Sequence, residues 1–193
     1  MKLKILANNA LNFGVNRVIE IVGITILITG LLLLASLVTF SPDDPNFIFP
    51  SDIEIKNILG FRGSFTADIF FQSFGVIALL IPFSLIVSGG YIVINKKIFL
   101  IIESIFYTIL YSLLGSLFFS FFYPTTFELY INGNGGFIGK FLETTFLNSI
   151  ININSKISYY ILASSILILF LISIQFKVNS FYKFIKKIFK FLF

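Results

Sequence analysis

The chain has 193 residues, of which 57% are hydrophobic and only 12% charged, with a mean hydropathy of +0.98; a water-soluble domain of this composition would have nothing to cover its apolar surface. The formal net charge is +5, but the basic residues stand at the ends of apolar runs and not together on one polar domain, so they read as membrane-orientation signals and not as a nucleic-acid face. With no Cys and no His, disulfides, thiolate nucleophiles, imidazole bases and the commonest zinc sites are excluded.

Four apolar runs are long enough to span a bilayer, because about 20 residues rising about 1.5 Å each cross a hydrocarbon core of about 30 Å. After a cytoplasmic tail of residues 1–20, the first span is predicted at residues 21–40. It contains Leu31, Leu32, Leu33 and Leu34 and ends at Ser41-Pro42, a helix stop. The stretch is longer than the apolar core of a cleaved secretory signal, and no small-residue cleavage site follows it, so it is read as a spanning helix. The second span is predicted at residues 69–94, with Pro82 kinking it and freeing a carbonyl near Ala78 that Ser84 or Ser88 would help satisfy. The third is predicted at residues 104–123, ending at Pro124, and the fourth at residues 157–176. Residues 21–176 are thus expected to form an all-α, four-helix integral membrane domain.

Two connections hold more than a simple turn needs. Between the first and second spans, Ser41-Pro42-Asp43-Asp44-Pro45-Asn46-Phe47 combines prolines that preset φ with Asp and Asn side chains that bond backbone, and is expected to be an ordered cap. Between the third and fourth, Gly133, Gly135, Gly136 and Gly139 form a tight turn that leads into Phe141, Leu142, Phe146 and Leu147, expected as one short helix at the membrane interface. The tail at residues 177–193 carries five lysines among Phe181, Phe184, Ile185, Ile188 and Phe189. It reads either as a basic amphipathic helix on an anionic inner leaflet or as a continuation of the fourth helix.

Lysine and arginine set the orientation. With both ends in the cytoplasm, Lys2, Lys4, Arg17, Lys96, Lys97, Lys177, Lys183, Lys186, Lys187 and Lys190 lie inside, against Lys56, Arg62, Lys140 and Lys156 outside. The predicted span interiors hold no ionisable side chain apart from tyrosine, which argues against an ion or proton pathway. Asp43 and Asp44, adjacent acids in a proline turn, read as a solvated turn and not as a metal or acid/base pair. The glycine cluster lacks the Gly-Lys-Ser/Thr ending of a phosphate cradle. No metal, cofactor or catalytic residue is expected. Ser112 and Ser116 have the spacing of small residues that lets helices approach closely.

Residues 36–47, closing the first span, resemble the segment that follows the first helix in FtsK/SpoIIIE-type DNA translocases. Asn57-Ile58-Leu59-Gly60 and Gly63, then Ala67-Asp68 with Gln72, Gly75 and Pro82, are similar to that family's second helix, and Gly133, Gly135, Gly136, Ile138 and Gly139 resemble its glycine-rich loop before the last helix. The resemblance implies an amino-terminal membrane domain that anchors a motor at the division septum of the bacterial inner membrane. Its implied partners are the lipid bilayer, division-site membrane proteins and further copies of itself. The 193 residues contain no Walker A sequence and no DNA-reading domain, so the chain itself is expected neither to hydrolyse ATP nor to bind DNA directly. The structural residues singled out are Pro42, Asp43, Asp44 and Pro45 for the cap, Pro82 for the second span, and Gly133, Gly135, Gly136 and Gly139 for the loop. The competing reading, from a different class, is a small transporter or channel subunit, which would bring polar groups from several spans to one cavity.

The orientation is open to a direct test: a reporter active only outside the cytoplasm is expected to be silent when fused at Phe193 and active at Asn46 and at Asn134. Activity at Phe193 would contradict the four-span arrangement with both ends inside.

Overall fold

A computed structural model of the protein describes residues 2–45, 54–125 and 132–177, together with Lys186. All regular structure in the described residues is helical: α1 (Lys2–Val38), α2 (Gly60–Phe74), a 3₁₀ segment (Gly75–Leu80), α3 (Ile81–Asn95), α4 (Phe99–Phe122), α5 (Gly136–Glu143), α6 (Phe146–Ile153) and α7 (Ser155–Ser173). Four stretches are long and apolar enough to cross a membrane, namely Leu11–Val38, Gly60–Asn95, Phe99–Phe122 and Ser155–Ser173. The protein is therefore an all-α, multi-pass membrane protein. Most of the predicted tail lies outside the described residues.

The helices overrun the apolar runs that reveal them. Hydropathy marks only the part immersed in hydrocarbon, whereas the backbone ladder continues into the headgroup region where charged side chains are tolerated. Arg17 and Glu20 lie on α1, Arg62 and Asp68 on α2, and Glu103 on α4, all of them outside the predicted span interiors, which hold no ionisable side chain apart from tyrosine. The connection before the last span contains two short helices where one was expected. Thr145 accepts a hydrogen bond from the Leu147 amide at 3.3 Å and starts α6, and Asn154 does the same for Ile157 at 3.1 Å and starts α7.

The second span corrects the role given to Pro82. The helix breaks seven residues earlier, at Gly75 (φ +69°), and proceeds as 3₁₀ to Leu80. Pro82 lies in the first turn of α3, where its missing amide is not needed. The Ala78 carbonyl is satisfied by the Ile81 amide, and not by Ser84 or Ser88.

α1 packs along α3, α3 on α4 and α4 along α7, while α2 leans on α1 and meets α5 above α4. The α1–α3 contact is backbone to backbone. A methyl group on Gly89 would stand 2.6 Å from the Leu27 amide nitrogen and 2.8 Å from the Gly23 carbonyl, and one on Gly30 would stand 2.9 Å from the Ile86 nitrogen. Without a hydrophobic drive between helices in lipid, such close dispersion contact is what holds them. One apolar core joins Leu33 and Leu37 of α1 to Ala67 and Phe71 of α2 and Ile81 of α3. A second joins Ile77, Tyr111, Phe118 and Ile166, and Phe118 and Phe122 of α4 each lie 5.2 Å from the Tyr159 ring of α7.

Buried serines bind three of the spans. The Ser84 hydroxyl lies 2.9 Å from that of Tyr111 and 2.8 Å from that of Ser173, and Ser104 donates to the Ser173 carbonyl at 3.0 Å. At the end of the bundle away from the α1–α2 connection, Glu20 pairs with Lys96 at 2.6 Å and with Arg17. There also, Gln175 donates to Glu103 at 3.2 Å, and the Lys177 ammonium stands 5.9 Å from the centre of the Tyr91 ring.

Two neighbouring glycines should separate packing from propensity. Gly89→Val meets fixed backbone and is expected to cost about 1–3 kcal/mol. Gly90, with nothing within 4 Å of a methyl placed on it, should accept Ala with a change under about 1 kcal/mol, on the stabilising side. Thermal unfolding of both variants in detergent measures the contrast.

Candidate functional site

Two polar assemblies occupy the loop end of the bundle, where α1 stops and α2 and α5 begin. The first ties α1 to α2. Ser41-Pro42-Asp43-Asp44 closes a turn with the Asp44 amide 3.2 Å from the Ser41 carbonyl, proline being suited to the turn's second position. The turn aims the Asp44 carboxylate inward, where it is only 4% exposed. Its oxygens accept hydrogen bonds from the backbone amides of Lys56 at 2.8 Å and Asn57 at 2.9 Å. Asn57, also buried, donates to the Ser36 carbonyl at 2.8 Å and accepts from the Leu59 amide at 3.1 Å. Ser36 in turn donates to the Gly63 carbonyl at 2.5 Å, and Ser64 donates to the Pro45 carbonyl at 2.9 Å. Gly63 is required here, because a methyl on it would overlap the Asn57 side chain.

Asp43 behaves differently from its neighbour. It is exposed and pairs with the Lys56 ammonium at 2.9 Å, and the hydrogen bond and charge of Asp43 raise the Lys56 pKa above the ordinary lysine value. The reading of both acids as a solvated turn therefore applies to Asp43 alone. The bonds of Asp44 also reach across the connection, 12 and 13 residues onward, not merely to local backbone. Pro42 is exposed and Pro45 buried.

The second assembly surrounds the break at Gly75. A broken helix leaves carbonyls and amides without partners, which lipid cannot supply. Asn132 donates to Gln72, 3.2 Å from its side-chain oxygen and 3.4 Å from its carbonyl, Ser116 donates to the Phe74 carbonyl at 2.9 Å, and the Val76 amide donates to the Asn134 carbonyl at 2.9 Å. Asn134 is fully buried, and its side-chain amide donates to the Tyr123 carbonyl. Gly136 (φ +63°) is in contact with the broken segment, since a methyl on it would lie 2.6 Å from the Ser73 carbonyl. Gly135 and Gly139 rest on α4, where a methyl on either would collide with the Ser116 carbonyl. Ser120 donates to Glu143 at 2.7 Å, joining α4 to the end of α5.

The structure thus brings Gly135, Gly136 and Gly139 together against α2 and α4. Gly133 (φ +68°) shapes the preceding turn, its carbonyl accepting from the Gly136 amide at 3.1 Å. Pro82 belongs to neither assembly. Ser64 and Ser120 have no sequence signal beyond polarity beside apolar runs, whereas Ser36 opens the segment that carries the family resemblance and Asn132 and Asn134 alternate with the glycines of the turn. Asp68 is 4% exposed, with one carboxylate oxygen lacking a hydrogen-bond partner. Among the described residues, no group of three or more acidic residues could hold a metal ion. The chemistry on offer is structural: backbone groups are satisfied by fixed side chains.

The two neighbouring aspartates provide a matched comparison. Asp44→Ala strands two amides and is expected to destabilise the protein by about 1–3 kcal/mol. Asp43→Ala removes an exposed ion pair, worth about 0–1 kcal/mol. Thermal unfolding in detergent, read alongside proteolysis of the first connection, should show the larger loss only for Asp44→Ala.

Comparison with known proteins agrees with this architecture. A DNA translocase FtsK from Rickettsia bellii (strain RML369-C) is 39% identical over 62 residues, covering 32% of this chain and 8% of that protein. The chain therefore matches only a small part of that relative's length. No solved structure matches the chain. The family described as the 4TM region of DNA translocase FtsK/SpoIIIE matches residues 15–188, which takes in all but the first four residues of the four apolar stretches, and the chain belongs to that family.

Proposed function

We propose that this chain is the membrane-anchoring and division-site assembly module of a DNA translocase that acts in chromosome segregation and cell division. It sits in the bacterial inner membrane with both termini in the cytoplasm and gathers with copies of itself and with other septal membrane proteins. DNA movement and ATP hydrolysis belong to the larger translocase, and this chain contributes position. The FtsK name of the Rickettsia relative, matched over 8% of its length, supports that division of labour.

The observation that carries the reading is how the bundle's polar groups are used. Ser84, Ser104, Tyr111 and Ser173 come from three spans and bond one another, so their polar groups are spent on holding the bundle together. This weighs against the transporter reading. Residues 42–45 hold a stiff cap, with Pro42 and Asp43 turned outward for partner proteins. α5 and α6 suit the membrane interface: Phe137 and Phe141 stack at 6.4 Å on the exposed face of α5, and Phe146, Ile150 and Ile153 are exposed on α6.

A fluorescent fusion of the full chain, expressed at native level with its natural partners present, should gather at mid-cell in dividing bacteria. Replacing residues 42–45 with a Gly/Ser linker should weaken that recruitment without preventing membrane insertion. Uniform membrane fluorescence from the intact chain would overturn the proposal.

A further inference from the structure

α1 touches α3 closely at Gly30 and is bonded to α2 at Ser36. Beside this stretch of α1 the helices part, opening a groove of about 330 Å³. Its walls are Thr29 and Leu32 of α1, Thr66 and Phe70 of α2, and Leu85 of α3, with Arg62 at the loop end. The eight helical steps from Arg62 to Phe70, at about 1.5 Å each, give it a length of about 12 Å. Leu32 on its wall is 51% exposed. Arg62 is exposed, and no hydrogen bond or ion pair of its guanidinium occurs among the described residues.

An apolar slot with an exposed guanidinium at its headgroup end has the polarity of one phospholipid chain. We propose that the groove binds an anionic phospholipid from the leaflet at the loop end of the bundle. One acyl chain lies between α1 and α2, and the phosphate diester accepts hydrogen bonds from the Arg62 guanidinium. Guanidinium presents paired N–H donors that match phosphate oxygens, and in a poorly hydrated site such bonds are strong. A zwitterionic headgroup brings its own ammonium beside Arg62 and gains less. This goes beyond the anchoring role, since it assigns a specific lipid to one face of the bundle whichever way the chain is oriented.

The sequence contains no Trp, so Phe70→Trp places a single fluorophore in the groove, Leu32→Trp supplies a second reporter on its other wall, and Ile168→Trp, on the exposed face of α7, samples bulk lipid. Each full-length chain is reconstituted in phosphatidylcholine vesicles containing a small fraction of brominated phosphatidylglycerol or brominated phosphatidylcholine. Brominated phosphatidylglycerol is expected to quench the two groove reporters at a several-fold lower mole fraction than Ile168→Trp. Adding Arg62→Gln should abolish that difference, and Arg62→Lys should keep part of it. Equal quenching at groove and bulk positions, or enrichment that persists in Arg62→Gln, would overturn the proposal. So would weak quenching by every lipid at both groove positions, which would show a second copy of the chain filling the groove.

Discussion

A backbone carbonyl or amide released within a membrane must find its partner inside the protein, because hydrocarbon offers none. The break at Gly75 creates several such groups at once, and the loop end of this structure is arranged around them. Ser116 reaches the carbonyl of Phe74, Asn132 that of Gln72, and the carbonyl of Asn134 receives the Val76 amide. To deliver those groups, the glycine-rich turn must press bare backbone against bare backbone, which is why Gly135, Gly136 and Gly139 stand where any side chain would collide. The position of α5, and its bond to α4 through Ser120 and Glu143, follow from that docking.

The same demand shapes the connection between α1 and α2. Asp44 satisfies two amides with one buried carboxylate, and Asn57 passes the link on to the end of α1. A charged acceptor makes stronger bonds than a neutral one, and the enclosed position protects them from exchange with water. Asp43 contributes little to this framework, since its exposed carboxylate pairs with the Lys56 ammonium and bonds no buried backbone group.

Much of this was legible in the sequence, and the limits have physical causes. The number and approximate place of the spans follow from hydropathy, since crossing hydrocarbon demands long apolar runs whatever the tertiary packing. The helix ends were less visible: α2 starts at Gly60, where the turn from Asn57 is held by bonds between Ser36 and both Asn57 and Gly63, and those bonds to Ser36 span more than 20 residues. Pro82 attracted the kink because proline cannot donate a hydrogen bond, yet Gly75 supplies the positive φ that ends α2. The glycine turn was recognisable as a turn, but its target on α4 depends on long-range pairing. The different surroundings of Asp43 and Asp44 were hidden, because adjacent residues on a turn point different ways and one-dimensional spacing does not say which side is interior. The Gly23, Gly30 and Gly89 seam was overlooked for a related reason: small residues announce close approach only once the partner helix is known.

The 3₁₀ segment of Gly75–Leu80 also sets a phase relation between the two halves of the second span. Six residues at about 3.0 per turn complete two full turns, whereas six at about 3.6 per turn fall short by roughly 120°. α2 and α3 are thus rotated against each other by about a third of a turn relative to one continuous α-helix. That offset lets a single span present one set of faces to α1 and α5 and another to α1, α4 and α7. The segment acts as an angular coupling, and its residue count is constrained more tightly than its composition: inserting or deleting one residue there would turn half of the span away from the neighbours it now meets.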